Sequence, residues 1–303
     1  MFGFLNIDKT KHKTSRDTVN LVQRIVREKS RSIKVGHAGT LDPLATGVLA
    51  ICVGPATRLI QYLQQAKKTY LATFEFGLES DTEDLYGKLE YLEKRPITQS
   101  QLTDVLPEFV GQIEQMPPQF SALKVNGVRA YEAARKGKQV DLKPRPVTIY
   151  DLKLTSLDYP MFQIEICCGS GTYVRSLGRD IARRLDTGAV MTKLQRTSIG
   201  RLDVANAVEA ESLSIDNIES KLIAPQDVLD LKVESVPCEQ LGKFVNANVW
   251  NASPQVSDDV LMAVDDDQRL QAILRRRDGG HYTPYVNFAN YWVEKENCPS
   301  DDA

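Results

Sequence analysis

Short apolar blocks separated by polar turns run the length of this chain, and no single period persists. Residues 2–7 form an apolar run that predicts a strand. Val19, Leu21, Val22, Ile25 and Val26 recur on one face, which predicts a helix over 16–28 with Ser15 as its cap. Residues 48–53 are apolar throughout and predict a short buried strand. Leu59, Ile60 and Leu63 mark the inner face of a second helix over 57–64. β-formers fill 69–77, a polar loop covers 79–87, and 88–93 returns as a strand. Thr98 opens a helix through 106 or 109 that Gly111 ends, and Met116-Pro117-Pro118 breaks the chain. A strand over 121–125, a turn at Asn126-Gly127 and a short helix over 129–136 follow. Strands are expected at 147–157 and 162–168. A helix then runs from the Gly169-Ser170-Gly171 turn to about 185, where Gly188 stops it. A strand over 193–202, broken at Gly200, precedes a partly helical stretch at 211–223. Beyond, short β-like runs alternate with acidic loops, placing a boundary near 228–235 and domains at 1–230 and 231–303. The pattern is α+β: a mixed, mainly antiparallel sheet flanked by helices, with a small β-rich appendage.

Composition narrows the class. With 303 residues, 42% of them hydrophobic, the chain can build one large domain and a smaller one. No apolar run approaches the roughly 18 residues of a membrane span, and the first residues lack the pattern of a secretory leader. Cys52, Cys167, Cys168, Cys238 and Cys298 form no Cys-x-x-Cys pair, and His12, His37 and His281 have no metal-ligand spacing. The expectation is a reduced cytoplasmic protein without a structural metal. Charge is segregated. Residues 1–60 hold ten Lys/Arg against four Asp/Glu, 121–201 hold fifteen against seven, and 202–303 hold eight against nineteen. Two basic segments that meet in space make a phosphate-binding face, whereas the acidic last third does not.

Four segments join an unusual backbone to a functional side chain. Residues 36–49, Gly-His-Ala-Gly-Thr-Leu-Asp-Pro-Leu-Ala-Thr-Gly-Val-Leu, place one carboxylate, Asp42, in a glycine-rich loop at the edge of a core strand. Pro43 keeps Asp42 out of the helical region. Lys68-Thr69-Tyr70 sets an aromatic hydroxyl at a strand start, Gly169–Arg175 is a glycine turn that delivers an arginine, and Lys193-Leu194-Gln195-Arg196-Thr197 is the fourth. The glycine turn lacks the spacing of a P-loop or a dinucleotide fingerprint. A carboxylate-dependent hydrolase is disfavoured, because no second acid stands at a convincing spacing and no metal ligands are grouped.

Together these segments resemble the TruB-type pseudouridine synthases, which modify the tRNA T-loop. Residues 36–49 match that family's active-site signature in one gapless run. Gly3-Phe4-Leu5-Asn6-Ile7-Asp8-Lys9 is similar to its N-terminal motif, Lys68-Thr69-Tyr70 to its tyrosine segment, and 81–87 to its polar loop. Ser121-Ala122-Leu123-Lys124 and Arg145-Pro146-Val147 are similar to its linking motifs, and Gly171-Thr172-Tyr173-Val174-Arg175 to its arginine motif. The resemblance covers residues 3 to about 200. It implies the pseudouridine synthase fold and isomerisation of T-loop uridine 55 in a flipped-out nucleotide, by glycosidic bond cleavage, base rotation and C–C bond formation. Asp42 would be the catalytic carboxylate, Arg175 its ion-pair partner and Tyr70 a stacking or proton-transfer group. Leu194 would wall the pocket, and His37, Gly39 and Thr40 would meet the nucleotide. Lys9 and Arg58 would bind phosphates. Because the reaction is an isomerisation, the resemblance implies no cofactor. The resemblance implies a tRNA T-arm as partner, no obligate protein partner, a monomer, and an enzyme rather than an RNA-binding relative that has lost catalysis. A C-terminal domain of the PUA type would occupy 231–303. The family usually continues Asp-Lys with Pro-x-Gly-x-Thr-Ser; Thr10 and His12 stand here for the proline and glycine, and Thr14-Ser15 is kept.

Overall fold

The order of the strands in space departs from their order in the chain. The structure is a computed structural model and describes residues 1–93, 95–121, 123–125, 127–134, 136–137, 140–237, 250 and 257–296. Its first half comprises β1 (Gly3–Lys9), α1 (Ser15–Lys29), β2 (Val35–His37), β3 (Thr46–Val53), α2 (Ile60–Gln65), β4 (Lys68–Phe76), β5 (Leu78–Ser80), β6 (Leu89–Tyr91), α3 (Gln99–Val105), β7 (Gly111–Gln115), β8 (Lys124–Val125), β9 (Val128–Arg129) and α4 (Ala130–Ala134). The second half comprises β10 (Arg145–Asp158), β11 (Met161–Cys168), α5 (Val174–Arg184), β12 (Ala189–Ile199), β13 (Leu202–Asp203), β14 (Val208–Glu209), α6 (Pro225–Val228), β15 (Lys232–Ser235), β16 (Val260–Val264), β17 (Leu270–Arg276), β18 (Tyr282–Asn287) and α7 (Ala289–Glu296).

The large sheet runs β14-β1-β3-β12-β4-β11-β10-β7, with β2 added on β3 and β13 on β12. Its pairings are antiparallel except β1 with β14 and β3 with β12. The expected mixed, mainly antiparallel sheet is therefore present. The central β3 explains its own composition. Leu49, Ile51 and Val53 enter one core with Val19, Val22 and Val26 of α1 and Leu177 and Ile181 of α5. Val48, Ala50 and Cys52 enter a second core on the other face. A strand buried on both faces has no polar side to show. At Gly178 of α5 a Cβ would overlap the Phe74 ring, so this glycine lets the helix approach β4 closely.

The small sheet, β15-β16-β17-β18, covers that second core. Met262, Val264, Ile273, Val286 and Phe288 pack with Phe4, Val48, Ala50, Cys52 and Leu59. The Phe2 ring lies 4.9 Å from Phe288 and 5.5 Å from Trp292. Each large apolar side chain buried this way contributes about 1.5–3 kcal/mol. Core packing therefore holds the small sheet to the back of the large one.

Several local expectations change. Thr14, not Ser15, caps α1, in a reciprocal capping box with Asp17. Ser15 instead grips the neighbouring loop. Its hydroxyl accepts from the Leu41 N–H at 2.8 Å and donates to the Leu41 carbonyl at 3.0 Å. Gly111, at φ +102°, begins β7 as well as ending the preceding turn. The stretch 211–223 holds only 3₁₀ turns, at Ala210–Ser212 and Glu219–Lys221. Among the described residues of 121–125, only Lys124–Val125 is strand. Ala122, Asn126, Cys238 and Cys298 lie outside the described residues.

Candidate active site

The Asp42 loop is a turn braced from three sides. The Ala45 N–H donates to the Asp42 carbonyl at 3.0 Å, closing a β-turn with Pro43 at its second position. Ser15 holds both backbone polar groups of Leu41 from α1. Gly47, at φ +91°, donates its N–H to Asp8 Oδ1 at 3.0 Å, and a Cβ there would overlap the Arg196 carbonyl of β12. That contact is the β3–β12 parallel pairing, in which Arg196 stands opposite Gly47.

Arg175 reaches this loop from the first turn of α5. The turn before it is set by Gly171 at φ +85° and by Gln115, whose amide accepts from the Tyr173 N–H at 2.8 Å and donates to the Tyr173 carbonyl at 3.0 Å. Arg175 Nε lies 2.9 Å from Asp42 Oδ2. Its other nitrogens donate to the Thr82 carbonyl at 2.7 Å and the Phe120 carbonyl at 3.1 Å, and Nη1 lies 3.7 Å from Asp84 Oδ2. The arginine side chain is 8% exposed and Asp42 35%. A buried fork with every edge occupied thus holds a carboxylate that still faces solvent. Arg179, one turn on, pairs with Glu83 and docks α5 on the same loop, and Ser176 donates to Glu83 at 2.6 Å. Burial is the main cause raising the Glu83 pKa.

Asp42 stands where two cavities adjoin. The first, about 320 Å³, is lined by Gly39, Thr40, Asp42, Lys68, Tyr70, Arg175, Leu194 and Arg196. The second, about 740 Å³, shares Thr40, Leu41, Asp42, Phe120, Ser121 and Arg175 and adds His37, Asp84, Tyr86 and Tyr131. The floor of the first comes from neighbouring strands in register, Tyr70 opposite Arg196 and Ala72 opposite Leu194. Burial raises the Tyr70 pKa, while a hydrogen bond to Arg196 works against the shift. Arg196 is fully enclosed; its Nε donates to the Val48 carbonyl at 2.7 Å and Nη2 to the Gly39 carbonyl at 3.3 Å. Lys68 donates to the carbonyls of Gln64 and Ala66, and burial lowers its pKa to about 8.

The structure brings Asp42, Tyr70, Arg175, Leu194, Gly39 and Thr40 around one cavity and sets His37 on the next. One expectation, that for Lys9, is corrected. Lys9 is fully buried, its ammonium donating to the carbonyls of Thr10 at 2.9 Å and Lys13 at 2.8 Å. It stitches its loop together instead of meeting a phosphate, and burial lowers its pKa to about 8. Arg58 is exposed, but its Nη1 donates to the Asn287 carbonyl at 2.6 Å and its guanidinium lies 5.0 Å over the Phe288 ring. That nitrogen is engaged by the small sheet, while the side chain stays open to solvent. His12, standing where the family usually has glycine, takes φ +69°, in the left-handed region that glycine adopts most readily.

Sequence reasoning assigned no role to Lys68, Asp84 or Gln115, and counted Arg196 only among the basic residues of 121–201 expected to meet phosphates, whereas it bonds backbone carbonyls. A signal existed for Arg196. It follows Leu194 by two positions, hence on the same strand face, and a charge on an inward face needs partners.

Burial, aided by the Arg16 charge, lowers the His37 pKa below its ordinary 6.5. Between the two values the unfolded chain binds more protons, so this group's contribution is present above 6.5 and lost as pH falls. His37→Gln is therefore expected to lose less melting temperature than the parent between about pH 7 and about pH 5. Equal losses in thermal melts would refute this.

Solved structures share this architecture. A chain in a Cbf5–Nop10–Gar1 complex matches with a TM-score of 0.70 at 22% identity, over 95% of this chain and 85% of that one. A chain of an H/ACA RNP bound to a substrate RNA containing 2′-deoxyuridine matches with 0.67 at 19%, over 94% and 84%. The fold is that of the pseudouridine synthases. The family described as "TruB family pseudouridylate synthase (N terminal domain)" matches residues 24–174. A Clostridium perfringens protein named tRNA pseudouridine synthase B is 40% identical over 82% of this chain and 84% of its own length. A Synechocystis protein of the same name is 44% identical over 76% and 78%. The chain belongs to the TruB family of pseudouridylate synthases.

Proposed function

We propose that this protein is a tRNA pseudouridine synthase that isomerises T-loop uridine 55, with Asp42 as the acting carboxylate. One observation carries the reading: a single half-exposed carboxylate, fixed by a buried arginine, stands where a cavity floored by Tyr70 and Leu194 meets a wider cleft. The reaction breaks C1′–N1, turns the base and joins C1′ to C5; C5 gives up its proton and N1 ends protonated, so the atoms balance as an isomerisation. Asp42 serves the sugar or the proton, Arg175 keeps it ionised and aimed, and Tyr70 and Leu194 flank the flipped base. His37, Gly39 and Thr40 meet the nucleotide at the cleft edge.

The identity of 40–44% to proteins named tRNA pseudouridine synthase B supports tRNA as substrate and action as a single chain; we take that chain to be a cytoplasmic monomer. No helix among the described residues is long and apolar enough to cross a membrane. We take residues 1–230 as the catalytic unit and 231–303 as a small domain of PUA type.

Mapping pseudouridines in tRNA transcripts with and without the protein tests the reading. The expected result is one new pseudouridine at position 55 of the T-loop. An unmodified T-loop would overturn it.

A further inference from the structure

The loop after β1 and the loop after β5 meet at the mouth of the wider cavity, in a contact that the proposed reaction leaves unused. His12, in the left-handed region, donates its N–H to the Pro43 carbonyl at 2.7 Å, and its Nδ1 lies 2.6 Å from the Tyr86 hydroxyl. A non-glycine residue held there is strained, and such strain persists only where its surroundings over-determine it. Tyr86 is fixed from its own side as well. Its N–H donates to Asp84 Oδ1 at 2.9 Å, the atom that also accepts the Thr82 hydroxyl at 2.7 Å. The Lys88 N–H donates to Asp81 Oδ1 at 2.8 Å, and Gly87 is packed so tightly that a Cβ would overlap Asp81, Ser80 and Thr82. The contacts close a ring around the cavity mouth: Pro43, His12, Tyr86, Asp84, Arg175, Asp42.

Tyr86 is 49% exposed and lines the same cavity as Asp42. Both ends of the residue are tethered while its ring stays open. An aromatic ring held this way loses little entropy when a flat partner lies on it. Unpaired bases are such partners, and stacking on aromatic side chains tolerates any base. We propose that Tyr86, steadied by His12, is the stacking platform for an unpaired base next to the one that enters the reaction cavity. This rests on the reading of the site as one that takes a nucleotide from an RNA loop.

The test uses a T-arm stem–loop RNA, the same RNA made abasic at the nucleotide on either side of the target, and the Tyr86→Phe and Tyr86→Ala variants. Conversion of the intact stem–loop by the unaltered protein reports on the functional reading separately; failure to bind or convert it overturns both. Tyr86→Ala is expected to weaken binding of the intact RNA by about 5- to 150-fold, the range for one stacked base. The loss falls on the dissociation constant more than on the rate constant at saturation. Tyr86→Phe keeps the ring and loses only the tether, and is expected to lose less than about fivefold. One abasic RNA is expected to bind the unaltered protein more weakly by a factor like that of Tyr86→Ala, and to bind Tyr86→Ala no more weakly than the intact RNA does, because both changes remove one contact. Unchanged binding by Tyr86→Ala, losses that multiply, or equal losses in the Phe and Ala variants would overturn the platform. The abasic RNAs measured on the unaltered protein decide the matter without any variant, since equal binding of all of them removes the stacked base.

Discussion

Asp42→Asn is expected to reduce tritium release from tRNA labelled with [5-³H]uridine by at least about 10²-fold, with tRNA binding largely retained. Asparagine matches aspartate in shape. The turn that presents it depends on its backbone carbonyl, which accepts from Ala45, and on Pro43, so the loop keeps its form. The change is therefore chemical: a group that cannot ionise replaces the one carboxylate at the junction of the two cavities. Proton transfer by a positioned side chain is worth about 10²–10⁴ in rate, and a nucleophilic role would add to that. Binding draws mainly on phosphates and loop shape, which Asp42 does not read. Full activity in this variant would remove Asp42 from the chemistry.

On the proposed function Arg175 serves both chemistry and stability, so its variants should fail in both measurements. Arg175 and Asp84 are nearly enclosed, at 8% and 7% side-chain exposure. Arg175→Met strips the partner from a buried carboxylate and leaves the carbonyls of Thr82 and Phe120 without a donor. Breaking a buried pair in this way costs about 3–5 kcal/mol, which a denaturant or thermal melt resolves easily. Arg175→Lys is the sharper probe. Lysine restores the charge but cannot occupy Asp42, Thr82 and Phe120 at once in the fork geometry. Its stability is expected to recover in part, while the single-turnover rate stays down by about 10²-fold, the scale of an ångström-sized misplacement. A lysine variant at the parent rate would show that charge, and not aim, is what the reaction needs.

The sequence made the centre of this site legible because its constraints are local. Asp42, Pro43 and the surrounding glycines lie in one run, and β3 announces itself by being apolar on both faces. Other parts depend on contacts that a one-dimensional reading does not contain. Gly111 reads as a helix stop, yet β10 supplies the neighbour that makes its segment a strand. The stretch 211–223 has helical composition, but its backbone is divided between short turns and an antiparallel bridge from Ile223 to Phe4. Lys9 and Arg58 read as phosphate ligands because they are basic and lie in basic segments. Their partners in the structure lie close in sequence for Lys9 and 229 positions away for Arg58. Arg196 and Asp84 lie in segments that the sequence singles out, but their own parts were not read, for the opposite reason. Their value lies in what they touch across the sheet and the cleft, and each is an ordinary charged residue on its own.

The position of β12 has a consequence for how the protein is made. The strand lies between β3 and β4, which are joined directly in the chain by α2. While the ribosome is still short of residue 189, β3 and β4 lack the strand that each pairs with in the finished sheet. The Asp42 loop and Tyr70 have by then been synthesised, but the wall of Leu194 and the tether of Arg196 have not. The reaction cavity is therefore assembled late, by insertion of a strand between two older neighbours. Such distant pairing is slow because chain closure precedes its reward. A nascent chain carries the Asp42 carboxylate well before it has a pocket around it.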